Sequence, residues 1–169
     1  MLIPAKVHDA LNAQVGMEFA ASLKYDSIAS YFASESLLRL ARFYYQQATE
    51  ERAHAHRFIK YILDTGGRVK IPGLGDTPWD FPTAESAAQL ALDSELAVTK
   101  SINNIMELAQ GEKDYATCNM LQWFINEQVE EVAQAEQMLR IIQKAGEDGL
   151  LLVEDYIGEL SEGKASGAP

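Results

Sequence analysis

The stretch Gly66-Gly67-Arg68-Val69-Lys70-Ile71-Pro72-Gly73-Leu74-Gly75-Asp76-Thr77-Pro78-Trp79-Asp80-Phe81-Pro82 decides the architecture. Its seventeen residues hold four glycines and three prolines and show neither a strand alternation nor a helical period. The sequence on both sides of it steps as helix. Upstream, Leu11, Val15, Glu18, Ser22 and Tyr25 advance by fours and threes, one stripe of a helix from Lys6 to about Ser34. A second helix is expected from about Ser36 to Thr65, with Leu40, Phe43, Gln47, His54, Phe58 and Ile62 facing inward and Gly66-Gly67 closing it. Downstream, Pro82-Thr83 opens a third helix from about Ala84 to Ala109. Thr83 is competent to cap it, and Ser86 in place of an acid three positions later predicts a simple cap rather than a capping box. Gly111 breaks that helix. A fourth is expected from about Asp114 to Lys144 with Gly146 closing it, and Leu150, Val153, Ile157 and Leu160 mark a short fifth, amphipathic helix.

The links set the topology. Helices one and two, and three and four, are separated by a few residues, so each pair is an antiparallel hairpin. Seventeen extended residues reach roughly 55 Å, whereas a 25-residue helix is about 37 Å long, so the Gly66–Pro82 segment can run the length of a bundle. The expected fold is all-α: two hairpins joined by one long crossover into a four-helix bundle, with a short fifth C-terminal helix. One domain is expected over residues 1–162, and residues 163–169 read as a flexible, frayed tail.

Composition narrows the class. A chain of 169 residues with 47% hydrophobic content suits one domain with a real core and excludes wholesale disorder. Against 14 Lys and Arg stand 25 Asp and Glu, a formal net charge of -11, which argues against nucleic acid or an anionic membrane as partner. Cys118, the one cysteine, cannot form an internal disulfide. Met1–Pro4 leads into polar, helix-forming sequence without the basic start and apolar run of a secretory signal, and no stretch is apolar enough to span a bilayer. A cytoplasmic location is expected.

The chemistry enters as an error in the hydrophobic pattern. Near the middle of each long helix, acids or amides interrupt the apolar stripe: Glu18 in the first; Gln47, Glu50, Glu51 and His54 in the second; Glu95 in the third; Gln128 and Glu131 in the fourth, with Glu127 and Glu130 beside them. Any one of these alone reads as a solvated position in a misjudged helix phase, and His54 alone as a packed, hydrogen-bonded histidine. All four helices carry the interruption at mid-length, however, and the midpoints of antiparallel neighbours meet at one level of a bundle. Carboxylates converging in an apolar interior repel one another and lose their hydration. No Lys or Arg shares the seams, so a metal ion is the simplest source of compensating charge. Glu51 and His54, at i and i+3, project from one face and can bind one ion together. Hard oxygen donors with one imidazole suit iron or manganese and not a thiolate zinc site.

These residues carry a resemblance. Glu18 and Tyr25, the run Glu50-Glu51-Arg52-Ala53-His54, Glu95, and Leu121-Gln122-Trp123-Phe124-Ile125-Asn126-Glu127-Gln128-Val129-Glu130-Glu131 are similar, over nearly the whole chain, to the ferritin family, specifically the haem-free bacterial ferritins. The resemblance implies a ferritin-like bundle with a paired-iron ferroxidase centre. It implies that Glu18, Glu51 and His54 hold the first iron with Glu51 bridging, and that Glu95 and Glu131 hold the second with Gln128 close by. Glu50, Glu127, Glu130 and Glu131 match a nearby third iron site. Tyr25 matches a tyrosine next to the centre and Trp123 a neighbouring aromatic, although ordinary bundle packing accounts for either ring. Oxidation of Fe(II) by O2 or H2O2, storage of the ferric product in a homo-oligomeric shell of 24 subunits, and iron detoxification follow from the same resemblance.

Departures from related families sharpen it. Rubrerythrins and fixed di-iron enzymes repeat Glu-x-x-His on a second helix, whereas Glu127-Gln128-Val129-Glu130-Glu131 contains no histidine, and His8 and His56 lie off the seam. Oxygen ligands alone then hold the second metal, which suits transient oxidation and hand-off. Bacterioferritins place a haem-ligating methionine just after the bridging Glu; Arg52 stands there, so no haem is expected. The remaining alternatives are a fixed di-iron oxidoreductase or peroxidase of the rubrerythrin type without mineral storage, and a metal-free structural bundle.

Overall fold

The computed structural model describes residues 2–166, with side chains described through residue 158. It is all-helical: α1 (Ala5–Ser34), α2 (Leu38–Asp64), α3 (Ala84–Gly111), α4 (Tyr115–Ala145), a 3-10 turn (Glu147–Gly149) and α5 (Leu150–Ser166). Helix α5 continues into the segment read as a tail, of which residues 167–169 lie outside the described residues, as does the side chain of Leu160.

Helices α1, α2 and α3 end alike. Ser36, Gly66 and Lys113 take left-handed φ values of 63°, 80° and 58°. The following amide then turns back onto a carbonyl of the last helical turn: Leu37 N on Phe32 O at 2.9 Å, Gly67 N on Ile62 O at 2.8 Å and Asp114 N on Ala109 O at 2.8 Å. Helix α2 therefore starts at Leu38 and not at Ser36, because Ser36 is spent on terminating α1. Helix α3 corrects a second expectation. The Ser86 hydroxyl does the work of the missing acid, accepting from Thr83 N at 3.2 Å while Thr83 Oγ1 accepts from Ser86 N at 3.1 Å, so a full capping box is present. Asp114 caps α4 by accepting from Thr117 N at 3.1 Å.

Helix α1 packs on both α2 and α3, and α4 packs on α3, whereas α2 and α4 approach each other less closely. The crossover has no regular structure and lies against α1. Asn12 Oδ1 accepts from Lys70 N at 2.6 Å, His8 Nε2 meets Arg68 O at 2.9 Å, and Gly16 leaves room for the Pro72 ring, which a Cβ there would approach to 2.4 Å. The core is split. One apolar cluster, with Ile28, Phe32, Leu40, Tyr44 and Ile142, fills one end. Another, with Leu11, Val15, Phe58, Ile62, Ile102 and Phe124, fills the other. On α2 it is Tyr44 that is buried in the first cluster, beside Leu40, and the expected Phe43 is only half-buried against it. Between the two clusters lies a layer of buried polar side chains.

Candidate metal centre

That layer is built from the interruptions of the apolar stripes: Gln14, Glu18 and Ser22 on α1, Gln47, Glu51 and His54 on α2, Ser94 and Glu95 on α3, and Gln128 and Glu131 on α4 are all buried. Ligand atoms of Glu18, Glu51 and His54 lie within 4.8 Å of one another, as do those of His54, Glu127 and Glu131. His54 belongs to both groups and joins them. Its Nδ1 is 3.6 Å from Glu51 Oε2, too far for a good hydrogen bond. Its ring packs edge-on against Trp123 at 5.5 Å and Phe124 at 5.9 Å, which fixes its plane. The Arg57 guanidinium lies 3.8 Å over the Trp123 ring.

The carboxylates differ in how they are held. Glu18 Oε1 accepts from Gln14 Nε2 at 2.8 Å, and its Oε2, like Glu51 Oε2, has no donor, the two carboxyls lying close enough to share a proton. Glu95 has both oxygens engaged, Oε1 by the Tyr25 hydroxyl at 2.5 Å and Oε2 by Gln128 Nε2 at 3.1 Å. Gln128 Nε2 also lies 3.0 Å from Thr99 Oγ1. Glu50 is half-buried; Gln46 Nε2 donates to one of its oxygens at 3.2 Å and Gln47 Nε2 to the other, while Gln134 Nε2 donates to Gln47 Oε1 at 2.8 Å. Glu50 and Glu127 line a cavity of about 510 Å³ with His54 and Trp123. Glu130 is exposed and belongs to neither group of ligand atoms.

Burial opposes ionisation throughout the layer. Glu18 is pushed well above the ordinary carboxylate range by burial first and by the Glu51 charge next, with the Gln14 amide acting in the opposite direction. Glu51 is raised by burial and by Glu95, and Glu131 is raised to about 8 by burial, Glu95 and Glu50. Glu95 is raised by burial, against which the Tyr25 and Gln128 hydrogen bonds act. Burial and the Glu95 charge push the Tyr25 phenol up. Among the described residues no Lys or Arg pairs with these acids: Arg52 pairs with Asp26 at 3.3 Å and touches Ser22 Oγ at 3.4 Å, and the Lys24 ammonium meets Ser94 Oγ at 3.5 Å. Two carboxylate oxygens without a donor beside one imidazole are what a divalent ion of the iron or manganese type would satisfy, so the residues fit such an ion.

The structure brings together Glu18, Glu51, His54, Glu127 and Glu131 through their ligand atoms and ties Glu95, Tyr25 and Gln128 into one hydrogen-bonded set beside them. Gln14, Ser101 and Gln134 were not singled out by the sequence. Gln14 does carry a signal, since it falls between Leu11 and Glu18 on the inward stripe of α1.

An all-helical bundle with a carboxylate and imidazole layer between two apolar clusters defines the ferritin-like class, and comparison with known proteins agrees. The ferritin-like domain family matches residues 8–145. Ferritin BfrB of Mycolicibacterium smegmatis is 39% identical over 166 residues, 98% of this chain and 90% of the relative. The bacterial non-heme ferritin of Staphylococcus aureus strain MRSA252 is 36% identical over 152 residues, 89% of this chain and 92% of the relative. The crystal structure of an open-pore ferritin from the archaeon Archaeoglobus fulgidus superposes with a TM-score of 0.88 at 35% identity, covering 92% of this chain and 96% of that one. The chain belongs to the ferritin family. It is a ferroxidase whose function is iron storage, and the family forms oligomeric shells.

Proposed function

We propose that Fe(II) enters as substrate at Glu18, Glu51 and His54, that Glu51 bridges to a second Fe(II) held by Glu95 and Glu131 with Gln128 alongside, and that a third ion is received by Glu50, Glu127 and Glu131, with the exposed Glu130 beside them. The observation that supports this most is the buried group Glu18, Glu51 and His54, in which two carboxylate oxygens lack a donor. The bound pair supplies the electrons, and O2 or H2O2 accepts them. The protein's part is to hold several carboxylates ready in a water-poor layer, where they bind a cation far more strongly than in water. Tyr25, hydrogen-bonded to Glu95, stands beside the second ion.

Oxidised iron leaves on the side where Glu50 and Glu127 line a cavity, toward a mineral inside a shell of 24 copies in the cytoplasm. Exposed Trp79 and Ile71 on the crossover suit burial between copies. Arg52, paired with Asp26, stands where a haem-ligating methionine would be needed, so no haem is used. Nucleic acid and membrane are not partners: the net charge is -11, and no described helix is long and apolar enough to cross a bilayer.

The test is Glu51→Ala with His54→Ala. Rapid O2-dependent Fe(II) oxidation should be lost while assembly, followed by particle mass, is retained. Unchanged oxidation kinetics refute the assignment. Aerobic Fe(II) titration with the particle mass measured before and after separates storage from a fixed pair of irons per chain.

A further inference from the structure

We infer that Gln14, held in place by Ser101, is a positioning residue that presents Glu18 to the first metal ion; this rests on the assignment of Glu18 proposed above. Gln14 sits one helical turn before Glu18 on α1 and is fully buried, at 0% exposure. Its Nε2 donates to Glu18 Oε1 at 2.8 Å, and its Oε1 accepts from the Ser101 hydroxyl on α3 at 2.6 Å. The direction of this chain follows from its end. Once a cation is bound Glu18 is ionised and only accepts, so in that state the amide turns its NH2 to Glu18 and its carbonyl to Ser101, whose O–H donates.

The consequence for Glu18 is selective. One oxygen, Oε1, already accepts from the Gln14 amide, and Oε2 is the oxygen left without a donor. Glu18 is thereby restricted in rotation before any ion arrives, and a ligand already in place loses less side-chain entropy on binding. Helix α3 then positions both flanking carboxylates of the centre. It carries Glu95 itself and, six residues on, Ser101, which acts on Glu18 through Gln14. The fourth helix does the comparable service for Glu95, where Gln128 donates to Oε2 at 3.1 Å.

The test uses Co(II), a redox-stable probe with a visible spectrum, titrated into the metal-free assembled protein. Gln14→Met keeps the length of the side chain and removes both polar ends. It should weaken the first Co(II) site by about 10- to 100-fold, the range usual for loss of a group that orients a metal ligand. Ser101→Ala should weaken the same site by a smaller factor, and Ser101→Thr, which retains the hydroxyl, should restore it.

Because Ser101 acts through Gln14, adding Ser101→Ala to Gln14→Met should cause no further loss. An equal loss in both backgrounds overturns the inference, as does an unchanged first site in Gln14→Met. Ser101 is only half-buried, so its two variants keep the test available if Gln14→Met does not assemble. Glu18→Ala separates the two levels. If it abolishes the first site while the Gln14 and Ser101 variants leave it intact, the positioning role alone fails. If it leaves the site unchanged, the assignment of Glu18 fails with it.

Discussion

The Tyr25 hydroxyl on α1 donates to Glu95 Oε1 on α3 at 2.5 Å and so occupies an oxygen that the second metal ion would use. With Gln128 on the other oxygen, Glu95 is fully engaged, whereas Glu18 and Glu51 each keep one oxygen without a donor. Tyr25→Phe preserves the ring and its stack on Tyr44, whose centroid is 6.1 Å away, and removes only the O–H. The buried Glu95 oxygen then lacks a donor, which costs about 1–3 kcal/mol. Thermal or urea unfolding of the metal-free protein should show that deficit. Saturation with Zn(II) should shrink it, because an ion gives Glu95 Oε1 a new partner. A deficit of equal size with and without metal would mean that the hydroxyl and the ion do not share the oxygen.

Metal-free stability should fall as pH rises. Glu131 moves from the ordinary 4.5 to about 8 on folding, and burial raises Glu18, Glu51 and Glu95 as well. Below about pH 4.5 folded and unfolded chains alike hold these protons. Between there and the raised values the folded chain holds protons that the unfolded chain has released, so stability declines with increasing pH through that window and is lowest above it. Urea midpoints of the metal-free protein from pH 5 to pH 9 should therefore slope downward. Glu131→Gln should flatten the slope, and saturating Zn(II) should reverse it, since the ion takes the place of the protons. A flat profile for the metal-free protein is the contrary result.

How much of this could be read from the chain alone depends on what sets each feature. The bundle and its crossover follow from periodicity and from the glycines and prolines of residues 66–82, all local properties. The placement of Tyr44 over Phe43 does not, because three aromatics in succession, Phe43, Tyr44 and Tyr45, leave the helix phase undetermined by about one residue. The start of α2 depends on Ser36 adopting a left-handed φ of 63°, for which serine gives no signal. In the site, acids in an apolar stripe are legible because burial contradicts their chemistry. Their orienting partners are not, because the reach of Ser101 to Gln14 or of Gln134 to Gln47 depends on how α3 and α4 are rotated against α1 and α2.

The acids of α4 divide by helix phase. Glu127 and Glu131 lie on the side facing His54, while Glu130 between them is exposed and outside the ligand group. Glu127→Ala should therefore remove the third ion per chain in a Zn(II) titration of the metal-free protein, leaving the first two. Glu130→Ala should leave all three ions bound and weaken the third by less than about 10-fold, the lower limit for loss of an orienting partner of a ligand. Calorimetry reads both as a change in stoichiometry or affinity of the last ion. Equal loss from the two variants would place Glu130 among the ligands of the third site.

Helix α5 has a task beyond covering the end of the bundle. Helix α2 begins without a side-chain cap of its own. Glu154 on α5 supplies one from a distance, accepting from Arg39 N at 2.9 Å and from Leu40 N at 2.7 Å, while the Arg39 guanidinium bonds back to Glu154 O at 3.0 Å. A carboxylate at a helix N-terminus satisfies otherwise unbonded amides and meets the positive end of the helix dipole. Glu154→Ala should cost roughly 1–2 kcal/mol. Glu154→Gln, which keeps one acceptor, should fall between it and the original protein. Hydrogen exchange provides the local measurement: the amides of Arg39 and Leu40 should exchange faster in Glu154→Ala, while those near His54 in the middle of the same helix should not. Unaltered exchange at Arg39 and Leu40 would show that α2 holds its first turn without α5.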